Sequence, residues 1–506
     1  MNKDTLPKTL GELKKSKYQP QTVKDEVRKN LVERLESNEP SFKNIIGYDN
    51  SVIPDVERAI LSKHNILFLG LRGQAKTRMA RQITDLLDDY IPVIEGSEIN
   101  DDPFHPISIH ARNMIAEKGD DTPITWLSKA DRYGEKLATP DVTVADLIGD
   151  IDPIKAANLH LNFADERVLH YGIIPRSNRG IFVINELPDL QARIQVSLFN
   201  ILQEGDIQIR GFKLRMPLDI LFVFTANPED YTNRGSIVTP LKDRIESQII
   251  THYPKSLETA MEITKQEARF EKESEDKIYF PDLLKQLIEQ IAFEAGTSEY
   301  VDGKSGVSAR MSITAYENAL STAERRLIIN KEKQTQVWIS DLLGIIPSIT
   351  GKIELVYEGE QEGPEQVAIN LLERAIRSQF LKYFPNPEAF KKRRKNQQQI
   401  QENPYRNVVQ WFEQGNKLQL DRDVRDKEKQ KELGLVDGLP KLVKKYIDKV
   451  NNQQETALWE EFILHGLAAF SLISKKILDT ETEFGDLLDT IMNLGLDMDD
   501  DDNEIF

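Results

Sequence analysis

The residues best suited to chemistry lie in the segment Gly70-Leu-Arg-Gly-Gln-Ala-Lys-Thr77. Its pattern is G-x-x-x-x-A-K-T, and phosphate-binding loops have G-x-x-x-x-G-K-[ST]. The backbone N–H groups of such a loop bind nucleotide phosphates, the lysine reaches the β and γ phosphates, and the hydroxyl holds Mg²⁺. Lys76 and Thr77 would fill the last two roles. The candidate nucleotide-binding residues are Gly70, Gly73, Gln74, Ala75, Lys76, Thr77 and Arg78.

A second polar group, Asn185-Glu186, ends the buried stretch Phe182-Val-Ile. In P-loop ATPases an acidic pair stands at such a place, and its first member supports Mg²⁺ while its second polarises the attacking water. Glu186 can serve as this base. Asn185 can accept a hydrogen bond from a metal-bound water but carries no charge. We therefore expect a lower metal affinity or a slower reaction.

Two further candidates follow the third apolar run, which ends Thr225-Ala-Asn227-Pro228. Asn227 can orient the attacking water, although an Asn-Pro pair also commonly starts a turn. Arg244, in Pro240-Leu-Lys-Asp-Arg244, can stabilise transition-state charge in a neighbouring subunit. The alternative for Arg244 is a surface ion pair with Asp243 or Glu246.

The elements around these residues predict a parallel sheet. Residues 64–70, 180–185 and 219–227 each form a short apolar run, and helical patterns separate them. Such runs are typical of parallel strands buried on both faces. A helix should follow the phosphate loop as far as Leu87. Residues 255–349 are mostly helical by periodicity, and 352–360 alternates like a strand.

Composition restricts the class of protein. The chain has 506 residues, no cysteine, 83 acidic and 66 basic residues, and a net charge of −17. The missing cysteines exclude thiol chemistry, disulfides and iron–sulfur clusters. The acidic balance disfavours a surface that binds nucleic acid throughout. No secretory signal or membrane-spanning stretch is evident, so we expect a soluble cytoplasmic protein.

With these motifs in order, the chain resembles AAA+ ATPases, most closely the branch with the magnesium chelatase ATPase subunit and the MoxR proteins. The G-x-x-G-x-A-K-T loop is similar to the MoxR form. The stretches 145–155 and 170–180 are similar to the chelatase segment before the Walker B strand, and Gly205 to Pro217 resembles the hairpin before sensor 1. Ser308-Ala-Arg310 is similar to the sensor 2 motif. The resemblance covers about residues 41–330, and Asn185 departs from the family's Asp.

The resemblance implies an α/β P-loop core, a helical lid and ATP with Mg²⁺ as ligands. It implies a ring, expected to be a hexamer, in which Arg244 reaches the ATP of the next subunit and Arg310 contacts the γ-phosphate from the lid. Members of the branch act with a protein bearing a von Willebrand factor A domain, so we expect a remodelling, chaperone-like ATPase with such a partner.

The expected domains are a helical extension over 1–40, an AAA+ core over 41–254, a helical lid over 255–350 and a mostly helical region with an acidic tail over 351–506. The helix 2 insert of the family should lie within residues 101–169, where Trp126 and Tyr133 have no assigned role.

Three other functions stay open. The chain could be a true magnesium chelatase subunit. It could be a slow nucleotide-dependent scaffold, an alternative that the uncharged Asn185 suggests. It could also be a DNA-translocating ring, which only the basic run 391–395 supports.

Overall fold

The computed structural model describes residues 6–162, 165–209, 215–228, 236–303, 306–391, 403–450, 452–478 and 481–487. The chain divides into two compact units, Met1–Tyr253 and Pro254–Phe506. Residues 392–395 of the basic run, residues 499–502 of the acidic tail and residues 210–214 of the predicted hairpin lie outside the described residues.

A five-stranded parallel sheet organises the first unit. Its strands in chain order are β1 (Ile66–Leu69), β2 (Tyr133–Leu137), β3 (Gly180–Asn185), β4 (Ile220–Ala226) and β5 (Ser247–Ile250). They lie in the order β5-β1-β4-β3-β2, and each neighbouring pair is parallel. Every residue of β3 and β4 is buried, as expected for strands covered on both faces. The predicted P-loop α/β fold is confirmed.

Alternate residues of β1 pack into different cores, so helices cover both faces of the sheet. Leu67 belongs to one buried cluster, and its neighbours Ile66 and Phe68 belong to the other. The α-helices of this unit are Leu10–Lys15, Val23–Glu36, Val52–Leu61, Lys76–Gln82, Ile109–Lys118, Val144–Leu147, Pro153–Leu159, Ile173–Arg176, Ala192–Ser197, Phe199–Glu204 and Thr239–Asp243.

The described part of this unit also contains three small pairs of antiparallel strands. They join Tyr90–Ile94 with Ile124–Ser128, Gly149–Ile151 with Leu169–Tyr171, and Asp206–Gln208 with Arg215–Pro217. The last pair forms the base of the hairpin predicted before the third apolar strand.

The sequence did not reveal β2. Tyr133, expected within an insert, begins a strand of the central sheet, with Leu137 opposite Asn185. The segment Tyr-Gly-Glu-Lys-Leu was missed because it forms an outer strand with mostly half-buried residues, which lack the continuous apolar run of β3.

An N-terminal helix is part of the core of the first unit. Thr22 caps the helix Val23–Glu36 by accepting a hydrogen bond from Asp25 N. Val27 packs in the same cluster as Phe68. On the same helix, the carboxylate of Glu26 makes two hydrogen bonds of 2.6 Å with the guanidinium of Arg132, and both side chains are buried.

The second unit is mostly helical and has one continuous hydrophobic cluster from Ile278 to Phe484. Its α-helices are Leu257–Glu267, Lys272–Glu275, Asp282–Ala295, Ala309–Asn330, Ile346–Thr350, Tyr357–Glu362, Pro364–Tyr383, Glu388–Lys391, Arg406–Glu413, Asp426–Leu433, Leu439–Tyr446 and Gln453–Ala469. Its strands form a parallel pair, Ile278–Tyr279 with Thr335–Gln336, and an antiparallel sheet of Leu418–Asp421, Glu481–Gly485 and Ser474–Ile477.

The strand predicted over 352–360 is wrong. Residues Tyr357–Glu362 form a helix, and Leu355 makes only an isolated bridge with Val301. Glu358 and Glu360 lie in the first turn of this helix, where carboxylates are favourable. The alternation that suggested a strand was too short to distinguish the two structures. Among the described residues, no helix is long and apolar enough to cross a membrane.

Candidate functional site

The phosphate loop joins β1 to the helix Lys76–Gln82, which continues as a 3₁₀ turn to Leu86. Gly73 has φ of 74°, and Ala75 has φ of 56° and ψ of 15°. Alanine therefore occupies the left-handed region in which glycine is usual, at a cost of about 1–2 kcal/mol. The Nζ atom of Lys76 donates to the carbonyl oxygens of Gly70 and Leu71, the latter at 2.8 Å.

Buried contacts fix the start of this loop. A Cβ atom on Gly70 would collide with Thr251 Oγ1 and Gln74 Oε1, and these two atoms lie 2.6 Å apart. The Tyr48 hydroxyl donates to the carbonyl oxygens of Gln74 and His252. The Gln74 side chain, a predicted nucleotide contact, thus connects the loop to the residue that follows β5. Burial raises the pKa of Tyr48 to about 12, so this donor stays protonated.

A hydrogen-bonded network joins the loop to the end of β3. Thr77 Oγ1 donates to Asn185 Oδ1 at 3.2 Å, and Thr225 Oγ1 donates to the same oxygen at 3.1 Å. Thr225 Oγ1 also accepts from the backbone N–H of Glu186 at 3.2 Å. Asn185, predicted for metal support, therefore contacts the residue that follows the loop lysine, and Thr225 links Asn185 to the backbone of Glu186.

The sequence did not identify Glu135, which lies in the same network. Its Oε1 accepts from Asn185 Nδ2 at 2.5 Å, and its Oε2 accepts from Arg81 Nη2 and the Tyr133 hydroxyl. Burial opposes ionisation of Glu135, but the hydrogen bonds from Arg81 and Tyr133 outweigh it and hold its pKa below the usual value. A charged residue amid the segment Tyr133 to Leu137 was the available signal, but β2 itself was not recognised.

Glu186 and Asn227 follow neighbouring strands. Glu186 has φ of 53° and ψ of 50°, a left-handed conformation that is uncommon for residues other than glycine and that recurs at functional sites. Asn227 is fully buried immediately after β4, which pairs with both β1 and β3. The carboxyl ends of these parallel strands lie at one edge of the sheet, so Glu186 and Asn227 follow strands that end at the same edge as the phosphate loop.

The described contacts of the predicted arginines Arg244 and Arg310 lie within their own units. Arg244 donates to Gln203 Oε1 and to the Pro240 carbonyl oxygen, and its guanidinium lies 5.0 Å from the centroid of the Phe199 ring. Among the described residues, the alternative ion pair of Arg244 with Asp243 or Glu246 is not observed, and Glu246 instead accepts from Asn65 N. Arg310 is exposed near the start of the helix Ala309–Asn330 in the second unit. Arg78 is half-buried on the loop helix.

The donor set fits a magnesium ion held with a nucleotide. Mg²⁺ in such sites keeps several waters and takes one or two protein ligands besides phosphate oxygens. Thr77 Oγ1 and Asn185 Oδ1 are neighbouring oxygens of this kind. Within the described ranges, no cluster of three or more His, Asp or Glu side chains is arranged to hold a metal by itself.

Comparisons with known proteins find similarity to a magnesium-chelatase subunit. The chain is 25% identical over 204 residues to the magnesium-chelatase 38 kDa subunit of Cereibacter sphaeroides, a match covering 39% of this chain and 54% of that protein. It is 24% identical over 201 residues to the subunit of the same name from Rhodobacter capsulatus, covering 39% and 51%. The chain thus spans about half the length of each relative. No protein-family model matches it.

Solved structures are similar only at a lower level. A complex between subunits BchI and BchD of magnesium chelatase, based on a cryo-electron microscopy reconstruction, matches with 18% identity and a TM-score of 0.33, covering 63% of this chain and 97% of that one. Hsp104 in its closed state matches with 14% identity and a TM-score of 0.35, covering 61% and 50%. In its parallel sheet, its ordered motifs and its similarity to these relatives, the chain resembles AAA+ proteins of the branch that contains the magnesium chelatase ATPase subunit.

Proposed function

We propose that the chain binds ATP with Mg²⁺ and hydrolyses it to ADP and phosphate. The observation that carries this proposal is the hydrogen bond between Thr77 Oγ1 and Asn185 Oδ1. It brings the hydroxyl beside Lys76 to the residue that precedes Glu186, which supports a single site for phosphate binding and water activation. Bound Mg²⁺ would neutralise charge on the β and γ phosphates.

Each side chain of the site has a distinct role in this proposal. Lys76 Nζ would exchange the carbonyl oxygens of its own loop for phosphate oxygens. Glu186 would take a proton from the attacking water, whose oxygen bonds to the γ-phosphorus as the bond to the ADP oxygen breaks. Asn227 would orient that water.

We further propose a homo-oligomeric ring, a hexamer, in which the two arginines respond to the γ-phosphate. Arg244 would contact the ATP of the neighbouring subunit, and Arg310 would contact the γ-phosphate from the second unit. The described acceptors of Arg244 are neutral oxygens, which supports this role because they leave its positive charge uncompensated. Loss of the γ-phosphate would remove both contacts and shift the conformational equilibrium.

The proposed work of this ring is remodelling of a protein client together with a von Willebrand factor A partner, in the cytoplasm. Family membership supports this proposal, and the net charge of −17 favours a protein client over nucleic acid.

Lys76→Ala tests nucleotide binding, and Lys29→Ala is its control because Lys29 is an exposed lysine of the same unit. Lys76→Ala should lower ATP affinity about 10–100-fold, the value of losing hydrogen bonds from a charged donor. Isothermal titration calorimetry with a slowly hydrolysed ATP analogue measures this change. Equal affinities for Lys76→Ala and the control would refute the assigned phosphate loop.

A true magnesium chelatase subunit is the second candidate, and the names of the curated relatives favour it. Magnesium insertion into a porphyrin, assayed with chelatase partner subunits, would distinguish it from a remodelling ATPase. A slow scaffold is the third, motivated by the uncharged Asn185. It would bind ATP normally and release phosphate far below about 1 s⁻¹, the lower end of typical turnover.

A further inference from the structure

The first observation concerns the orientation of the Asn185 amide. Two hydroxyls, from Thr77 and Thr225, donate to its Oδ1. Its Nδ2 donates to Glu135 Oε1 at 2.5 Å. Because an ionised carboxylate can only accept, Glu135 holds the nitrogen on its own side and directs the amide oxygen towards Thr77.

The second observation is that the two Glu135 carboxylate oxygens have different hydrogen-bond partners. Oε2 accepts from Arg81 and Tyr133, and Oε1 accepts from Asn185. All these partners are donors, so the site favours the ionised carboxylate. The Arg81 side chain is 65% exposed, and ion pairs with an exposed partner stabilise a protein only weakly, so this ion pair alone gives little reason for a charge in a sheet strand.

We infer that Glu135 and Asn185 together do the work of one metal-supporting aspartate: Asn185 presents the oxygen, and Glu135 on the neighbouring strand supplies the negative charge and fixes the amide. Glu135 is a positioning residue, since it acts through Asn185. This inference concerns the Mg²⁺ of the proposed nucleotide site and rests on that proposed function. It also explains how the uncharged Asn185 can stand at a position that supports a metal ion, since Glu135 provides the negative charge.

The test is a double-mutant cycle read out by metal-dependent ADP binding. ADP affinity is measured by calorimetry with Mn²⁺ and again with EDTA, for the wild type, Glu135→Gln, Asn185→Asp and the double variant. Glu135→Gln should lower the Mn²⁺-dependent gain in affinity about tenfold, as loss of a residue supporting a metal ligand does. Affinity in EDTA should not change.

In the Asn185→Asp background, the same Glu135→Gln change should cause little or no loss, because the aspartate carries its own charge. Equal losses in both backgrounds would overturn the inference, since a merely structural Glu135 would matter in both. No loss in the Asn185 background would also overturn it. If Glu135→Gln proves too unstable to measure, the double variant decides: wild-type Mn²⁺ dependence supports the inference, and its absence refutes it.

Glu57→Gln is the matched control, because Glu57 is a half-buried glutamate of the same unit that accepts from Ser41 Oγ at 2.6 Å. It should leave the Mn²⁺ dependence unchanged. Wild-type protein that binds no ADP in either buffer would refute the proposed nucleotide site. Binding that is insensitive to Glu135 refutes only the role of Glu135.

Discussion

Asp219 provides a pH-dependent test of how the N-terminal helix is held. Its Oδ2 accepts from Val23 N at 2.8 Å, at the start of the helix Val23–Glu36. Burial raises the pKa of Asp219 from 3.8 to about 6, although Val23 N, Arg179 and Arg132 oppose the shift. The Asp219 carboxyl therefore keeps its proton to a higher pH in the folded protein than in the unfolded chain.

The sign and size of the effect follow from this shift. At pH 7 the ionised carboxylate lowers stability, and the penalty disappears as the pH falls below about 4, where both states are protonated. A shift of about two pKa units corresponds to about 3 kcal/mol. Asp219 is partly exposed, and solvent screening reduces this to about 1–2 kcal/mol.

Asp219→Asn removes the charge and keeps an oxygen that can accept from Val23 N. At pH 7.5 the variant should melt about 2–8 °C above the wild type, given about 2–4 °C per kcal/mol for a unit of this size. The gain should vanish near pH 4. Circular dichroism melts of both proteins over this pH range measure the difference. A variant that is less stable at pH 7.5, or a pH-independent difference, would refute the reasoning.

Two further changes test the loop and the core. Gly70→Ala places a Cβ against Thr251 Oγ1 and Gln74 Oε1, so the loop must shift. ATP affinity, measured by calorimetry, should fall at least about tenfold because charge-assisted hydrogen bonds to the phosphates are lost. Unchanged affinity would contradict this packing. Glu26→Ala leaves the buried Arg132 without its carboxylate and should lower the free energy of unfolding, measured with urea, by about 3–5 kcal/mol. A decrease below about 1 kcal/mol would show that water reaches Arg132.

The sequence predicted the parts of the site that depend on local patterns. The phosphate loop, β1, β3 and β4 were recognisable because their apolar runs are continuous and lead directly into Gly70, Asn185-Glu186 or Asn227. The strand β2 was missed because its residues are mixed and mostly half-buried. Glu135 was missed for the same reason, since its contact with Asn185 depends on the pairing of β2 with β3.

The remaining errors of prediction also concern elements that depend on contacts with residues distant in the sequence. The strand predicted over 352–360 is a helix, because a short alternation does not specify a partner strand. The antiparallel sheet that joins Leu418–Asp421 with Glu481–Gly485 was not predicted, since its strands are far apart in the chain and only four to five residues long. Ala75, which stands where phosphate-binding loops have glycine, adopts the left-handed conformation that glycine favours.

In the proposed function, Glu186 activates water for ATP hydrolysis beside the phosphate loop. Phosphate release at saturating ATP, measured for the wild type and Glu186→Gln together with ATP affinity, tests it most directly. We predict that Glu186→Gln binds ATP like the wild type and releases phosphate about 10²–10⁴-fold more slowly, the usual value of a general base. Wild-type phosphate release by Glu186→Gln would contradict the account.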